Sequence, residues 1–316
     1  MSRHLVNPQL VAALDFFQPL DTDPTHVAET RARFGALALP VEEYARPSVE
    51  IGHWMVPGPA DAPDVPVILY FPLGREGALP VLLHIHGGGY VFGSAAGSGP
   101  ECVAMADELG CLVVSVDYRL APETTAPGPV EDCYAVLAWL NQEAETLGID
   151  VNRIAVGGES AGGGLSAALA LLARDRGAYR LCFQLLIYPM LDDRTCVKPV
   201  TNPHVGHFVW TRDYNLFGWQ CYLGVEPGSN HVSPYAAPAR AEILAGLPPT
   251  YLCVGALDLF LEEDLDYAAR MMAAGVTVEL QVYPGAYHAF EVASDSELAR
   301  RAQADRHRAL ADAFRR

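Results

Sequence analysis

The chain has 316 residues, enough for a large buried core, and fits either two small domains or one large α/β unit with an insertion. Lys and Arg number 21 against 38 Asp and Glu, a formal net charge of −17, which repels phosphate backbones and anionic lipid and excludes nucleic acid as the expected partner. Seven cysteines, at 102, 111, 133, 182, 196, 221 and 253, form no C-x-x-C pair, so they read as reduced, mostly buried thiols in a cytoplasm. The first twenty residues hold no signal core and no later apolar run reaches a membrane span, so a soluble intracellular protein is expected.

Residues 1–45 suggest one or two short helices, Pro8–Phe17 and His26–Leu37, before any strand. Strands then follow at Val49–Val56 and Val65–Pro72 with no helix between them, which implies an antiparallel start to a sheet. Six further strand candidates are LPVLLHIH, CLVVSVDY, RIAVGG, CFQLLIYP, TYLCVG and VTVELQVYP. Several are apolar almost without alternation, as central strands covered on both faces are. Helical stretches separate them at about Glu101–Leu109, Val130–Leu147, Ser160–Arg176, Glu262–Ala274 and Glu297–Phe314. The class is therefore α/β, with a mostly parallel sheet of about eight strands flanked by helices.

Residues 192–235 stand outside this alternation and carry Phe208, Trp210, Tyr214, Phe217, Trp219, Tyr222 and Tyr235. Composition leaves two readings open, a lid or a helical excursion packed on its own small core. No repeat or Gly/Ser-rich linker argues for a separate domain.

Two glycine runs carry the chemistry. The stretch VGGESAGGG at 156–164 lacks the lysine of a P-loop and the spacing of a dinucleotide fingerprint. Gly158-Glu159-Ser160-Ala161-Gly162 does match G-x-S-x-G between a strand and an apolar helix, the setting that lifts a serine hydroxyl out of a tight turn. The alternative is a serine that only caps the helix.

A serine nucleophile needs a base, and the base needs an acid to hold its tautomer. Of ten histidines, His288 is the one set in a loop just past a strand, in PGAYHAF. His53 lies in an early strand and reads as a core candidate, whereas His4, His26, His204, His207, His231 and His307 read as solvated, lid or packing residues. Asp258 ends YLCVGALD and completes the order Ser160, Asp258, His288. Glu262 is the substitute, although it, Glu263, Asp264 and Asp266 also read as the acidic first turn of the next helix.

The second run, His86-Gly87-Gly88-Gly89-Tyr90, follows a strand and can offer bare amides to a developing oxyanion. Gly88 and Gly89 with Ala161 are the expected oxyanion hole; a mere turn is the competing reading. His86 is expected to brace that loop and His84 to lie within the strand.

HGGGY at 86–90, DYRLAPE at 117–123, GESAGGG at 158–164, YP at 188–189 and PGAYHAF at 284–290 occur in an order that resembles the hormone-sensitive-lipase-like (family IV) esterases of the α/β-hydrolase fold. The resemblance runs from about residue 45 to the end. It implies hydrolysis of carboxylic esters, short- to medium-chain ones above all, by Ser160, Asp258 and His288 with no metal or organic cofactor. It also implies one domain in which residues 1–45 and about 192–235 cap a core of 46–191 and 236–316, and a homodimer formed through Val276–Tyr283.

Two positions depart from the family pattern. Asp258-Leu259-Phe260 stands where Asp-Pro-Leu is common, and Glu159 where Asp or Thr is common, its side chain expected to brace the turn. An amidase, lactonase or carbamate hydrolase could use the same constellation. The gibberellin receptors resemble the family yet bind without hydrolysing, having lost the histidine that is here His288.

Overall fold

The computed structural model describes residues 2–36 and 39–315. Eight strands form one sheet: β1 (Val49–Val56), β2 (Val65–Pro72), β3 (Leu79–Ile85), β4 (Leu112–Val116), β5 (Ile149–Glu159), β6 (Phe183–Ile187), β7 (Thr250–Gly255) and β8 (Val278–Tyr283), in the order β1-β2-β4-β3-β5-β6-β7-β8. β2 is antiparallel to both β1 and β4, and every other pairing is parallel. The helices are α1 (Val27–Gly35), α2 (Gly99–Leu109), α3 (Gly128–Gln142), α4 (Ala144–Leu147), α5 (Ala161–Arg176), α6 (Arg212–Leu223), α7 (Leu261–Ala273) and α8 (Glu297–Phe314).

Alternate residues of each central strand feed opposite cores, because successive side chains point to opposite faces of a sheet. Leu82, Val113, Ala155, Leu185 and Tyr251 pack with Val103 of α2 and Leu310 of α8. Leu83, Val114 and Val156 pack with Val136 of α3 and Leu169 of α5, while Leu186 and Leu252 meet Met271 of α7. Both faces are thus covered, which is why these strands read as unbroken apolar runs.

Several expected boundaries are corrected. Residues 8–17 form two 3-10 turns, Pro8–Leu10 and Ala12–Phe16, instead of one helix. A segment this short gains little from propensity, and its shape is set by contacts to the far end of the chain. The Asn7 N–H donates to Gly285 O at 3.0 Å, and the Tyr287 hydroxyl to Leu10 O at 2.9 Å. The expected helix end at Leu37 lies outside the described residues. The run 130–147 is split, because Glu143 takes ψ 15° and leaves helical geometry. The last strand starts at Val278, not Val276, because Gly275 turns at φ +83° and the Val276 N–H closes onto Met271 O. His53 is exposed on β1, an edge strand, and pairs with Glu42 at 3.0 Å, so it is not a core residue.

The aromatics of 192–235 do not build a core of their own. Trp210, Phe217, Trp219 and Tyr222 join the main core beside Tyr90 and Phe92, and Tyr222 stacks on Tyr90 with ring centroids 3.9 Å apart. α1 reaches the same loop: Phe34 meets Phe92 edge-on at 5.8 Å, and Arg31 Nε donates to Val91 O at 2.7 Å. All seven cysteines are free thiols, buried except for the half-buried Cys182. Among the described residues no helix is long and apolar enough to cross a membrane.

One buried ion pair ties the segment 192–235 to the chain beyond it. Asp193 is fully buried, accepts from Arg240 Nε at 2.6 Å and Nη2 at 2.8 Å, and also accepts from Gly228 N. Asp193→Ala leaves the largely covered Arg240 guanidinium without its carboxylate and the Gly228 N–H without its acceptor, so urea unfolding is expected to show a loss of about 3 kcal/mol. A loss below about 1 kcal/mol would contradict the role given to this pair.

Candidate active site

β5 ends at Glu159 and α5 begins at Ala161, so Ser160 alone makes the turn, at φ +57° and ψ −120°. L-residues rarely adopt that conformation, and the surroundings must hold it. The Ser160 N–H donates to Ile187 O at 2.9 Å, and its carbonyl accepts from Gly164 N and Met190 N. The turn also presses on β3. A Cβ at Gly158 or Gly162 would stand 2.1 or 1.9 Å from Ile85 O, so only glycine lets the two strand ends approach.

His288 and Asp258 arrive from the loops after β8 and β7. The imidazole Nε2 lies 2.9 Å from Ser160 Oγ, and Nδ1 lies 2.8 Å from Asp258 Oδ2. A carboxylate can only accept, so Nδ1 carries the proton and Nε2 is left to accept from the serine hydroxyl. The second oxygen of Asp258 accepts from Phe260 N at 3.0 Å. Ser160, Asp258 and His288 are 6%, 1% and 5% exposed, and the His288 ring is boxed by Tyr188 at 4.7 Å and Phe260 at 5.2 Å.

The glycine loop after β3 comes up beside this line. Gly87 lies against the turn, where a Cβ would be 3.4 Å from Ser160 Cβ. Gly88 and Gly89 take φ +119° and +61°. Among the described residues, the N–H groups of Gly88, Gly89 and Ala161 donate to no backbone or side-chain acceptor. His86 sits behind the loop, Nδ1 2.8 Å from Gly87 O and its ring stacked on Tyr118 at 4.3 Å. Burial pushes its pKa down, so the ring is neutral and Nδ1–H donates.

Glu159 points away from the serine. It accepts from Ser98 Oγ at 3.1 Å and Gly87 N at 3.4 Å, and faces His84 Nε2 at 3.1 Å. Burial alone would raise its pKa, but the His84 charge and the hydrogen bonds from His84 and Ser98 outweigh burial and hold it at about 2. Sequence reasoning put His84 in the strand without a task. Its partner lies 75 residues away, and only the β3–β5 register, His84 opposite Gly157, brings them together.

Glu262 does not approach His288. It is exposed and accepts from Thr201 Oγ1 at 2.6 Å. Glu263 and Asp264 do belong to the first turn of α7, but both are buried. Glu263 accepts from Leu191 N and Asp192 N, and burial raises the pKa of Asp264 well above the carboxylate range. Among the described residues, no group of three or more His, Cys, Asp or Glu is arranged to hold a metal ion. A cavity of about 1360 Å³, lined in part by Gly206, Arg212, Tyr214, Leu259 and Arg270, opens beside the loop that carries Asp258; Ser160 and His288 do not line it.

Residues 82–292 match the sequence model of a family described as the alpha/beta hydrolase fold. The chain belongs to the α/β-hydrolase family. Carboxylesterase NlhH of Mycobacterium tuberculosis is 35% identical over 291 residues, covering 92% of this chain and 90% of that protein. Ethyl acetate hydrolase of Pseudomonas putida is 32% identical over 270 residues, 80% of this chain and 84% of its own. Among solved structures, a bacterial heroin esterase superposes with a TM-score of 0.93 at 41% identity, over the full length of both chains. The resemblance to esterases of this fold read from the five motifs therefore extends over the whole α/β-hydrolase chain.

Glu159 gives a pH test. Its carboxyl titrates at about 2 when folded against an ordinary value of 4.5, so the unfolded chain takes the proton first as pH falls. The stability it contributes is present above pH 4.5 and is lost on the way to about 2. Thermal melts of wild type and Glu159→Gln are expected to differ most above pH 4.5 and to converge below it; a constant gap would contradict the ionised pair with His84.

Proposed function

We propose that this α/β-hydrolase is a serine carboxylesterase that cleaves short- to medium-chain carboxylic esters by two-step acyl transfer. The observation that carries the reading is the unbroken line from Asp258 through His288 to Ser160, at 2.8 and 2.9 Å, beside three amides that have no acceptor among the described residues.

His288 Nε2 takes the hydroxyl proton as Ser160 Oγ bonds to the ester carbonyl carbon. The carbonyl oxygen becomes an oxyanion and accepts from the N–H groups of Gly88, Gly89 and Ala161, which are fixed before substrate arrives. Asp258 holds the Nδ1 proton and stabilises the imidazolium. The intermediate collapses, the carbon–oxygen bond to the alcohol breaks, and His288 returns the proton to the leaving oxygen. Water then repeats the sequence: it gives a proton to His288, adds to the acyl carbon, and the carboxylic acid leaves as Ser160 recovers its proton. No step calls for a metal or organic cofactor.

Residues 1–45 and 192–235 are read as a cap over this site, because both meet the loop at 90–92 and contribute aromatic rings that favour apolar substrate groups. The unpaired thiols support a reducing compartment, the cytoplasm. β8 ends the sheet with an open edge, on which the homodimer reading rests.

Asp258→Asn is expected to lower kcat/KM for p-nitrophenyl butyrate by about 10⁴-fold with an unchanged melting temperature, because the amide turns the imidazole to the wrong tautomer. Glu262→Gln should stay within about twofold of wild type. The reverse pattern would overturn the assignment of the acid. Rates over acyl groups from acetyl to palmitoyl locate the chain-length optimum.

A further inference from the structure

Ser160, Gly89 and His288 outline the space in which an ester would react, and Trp210 is a fourth residue on its border. Its indole lies directly on Gly89, where an added Cβ would stand 2.3 Å from Trp210 Cη2. Its ring centroid is 6.3 Å from that of His288. Trp210 is 8% exposed.

The ring is held firmly. Trp210 Nε1–H donates to Oδ1 of the fully buried Asn215 at 3.2 Å. Just before it, Val209 takes φ +61° and the Trp210 N–H closes onto Phe208 O at 2.7 Å, a tight turn that aims the side chain. Tyr214 packs 6.2 Å from the indole, and its hydroxyl accepts from Leu20 N, tying the arrangement to the N-terminal segment. A Cβ at Gly218 would lie 3.5 Å from Trp210 Cζ2, so the ring is also backed by α6.

Reaction geometry decides which part of the ester meets this wall. In the tetrahedral intermediate on Ser160, the oxyanion points at Gly88 and Gly89, and the leaving oxygen must lie at His288 Nε2 to receive its proton. The acyl chain is the remaining arm. A ring that touches Gly89 and borders His288 flanks the sector between the first two arms, so the group on the leaving oxygen has to pass it.

We propose that Trp210 is a specificity-determining residue that limits the bulk of the alcohol portion of the ester. The proposal rests on the acyl-transfer reading above and deepens it. A pinned indole cannot yield as a flexible side chain would, and misfit of a single methylene in an apolar pocket changes rates by roughly ten- to two-hundredfold.

Two ester series test it: acetates of ethanol, 2-propanol and cyclohexanol, and ethyl esters from acetate to hexanoate. For Trp210→Ala, kcat/KM for cyclohexyl acetate relative to ethyl acetate is expected to rise at least about tenfold, while ethyl hexanoate relative to ethyl acetate stays within about twofold. Trp210→Phe should fall between, and Asn215→Leu, which removes only the acceptor of the indole N–H, should relax the alcohol ratio in the same direction by less. Titration with a p-nitrophenyl phosphonate counts reactive serines in each variant, so ratios are compared only among molecules that label. Full labelling with an unchanged alcohol ratio, or a shift confined to the acyl series, overturns the role of Trp210. Failure of the wild type to label overturns the acyl-transfer reading instead.

Discussion

Ile85 and Gly158 face each other across the parallel ladder of β3 and β5, and the two loops that build the site leave the sheet within a few residues of that pair. The Ile85 carbonyl sits so close to Gly158 and Gly162 that a side chain at either would collide with it. This approach sets how far Ser160 stands from the glycine loop at 87–89. If β3 and β5 slipped by one residue, the serine and the loop amides would no longer share one space, since a one-residue slip turns every side chain to the other face.

Charge is placed to keep that junction closed. Glu159 reaches back under the turn to His84, Ser98 and Gly87, so one carboxylate joins the end of β5 to the strand, loop and helix start beside it. Such a group is costly to bury unless each oxygen finds a donor. On the other side of the serine, Asp258 is fully buried, where Glu159 is half-buried, and is satisfied by His288 and the Phe260 amide. The chain carries a formal net charge of −17, yet the half-buried Glu159 and the buried Asp258 on either side of the serine are each held by specific donors.

The sheet was legible because its signal is local: apolar runs of strand length separated by helical periods gave all eight strands, with β1 and β2 at their observed bounds. Ser160, Asp258 and His288 could be picked out because each follows a strand, and parallel strands deliver their following loops to one edge. What stayed hidden depends on distant contacts. The 3-10 turns at 8–16 are shaped by Gly285 and Tyr287, which nothing near Pro8 announces. His84 gained a partner only through strand register, and Trp210 was one aromatic among seven until the turn at Val209 laid it on Gly89. The acidic run after Asp258 was legible only in part, for a related reason: helix-start propensity places Glu262, Glu263 and Asp264 in the first turn of α7, but does not give the burial of Glu263 and Asp264, which is fixed by the packing of α7 on the sheet.

Whether Ser160 is the atom that takes the acyl group is tested most directly by mass spectrometry after treatment with a fluorophosphonate. One adduct per chain is predicted, carried by the peptide that contains Ser160 and absent from Ser160→Ala. No adduct on the wild type, or an adduct that persists in Ser160→Ala, would contradict acyl transfer through this serine.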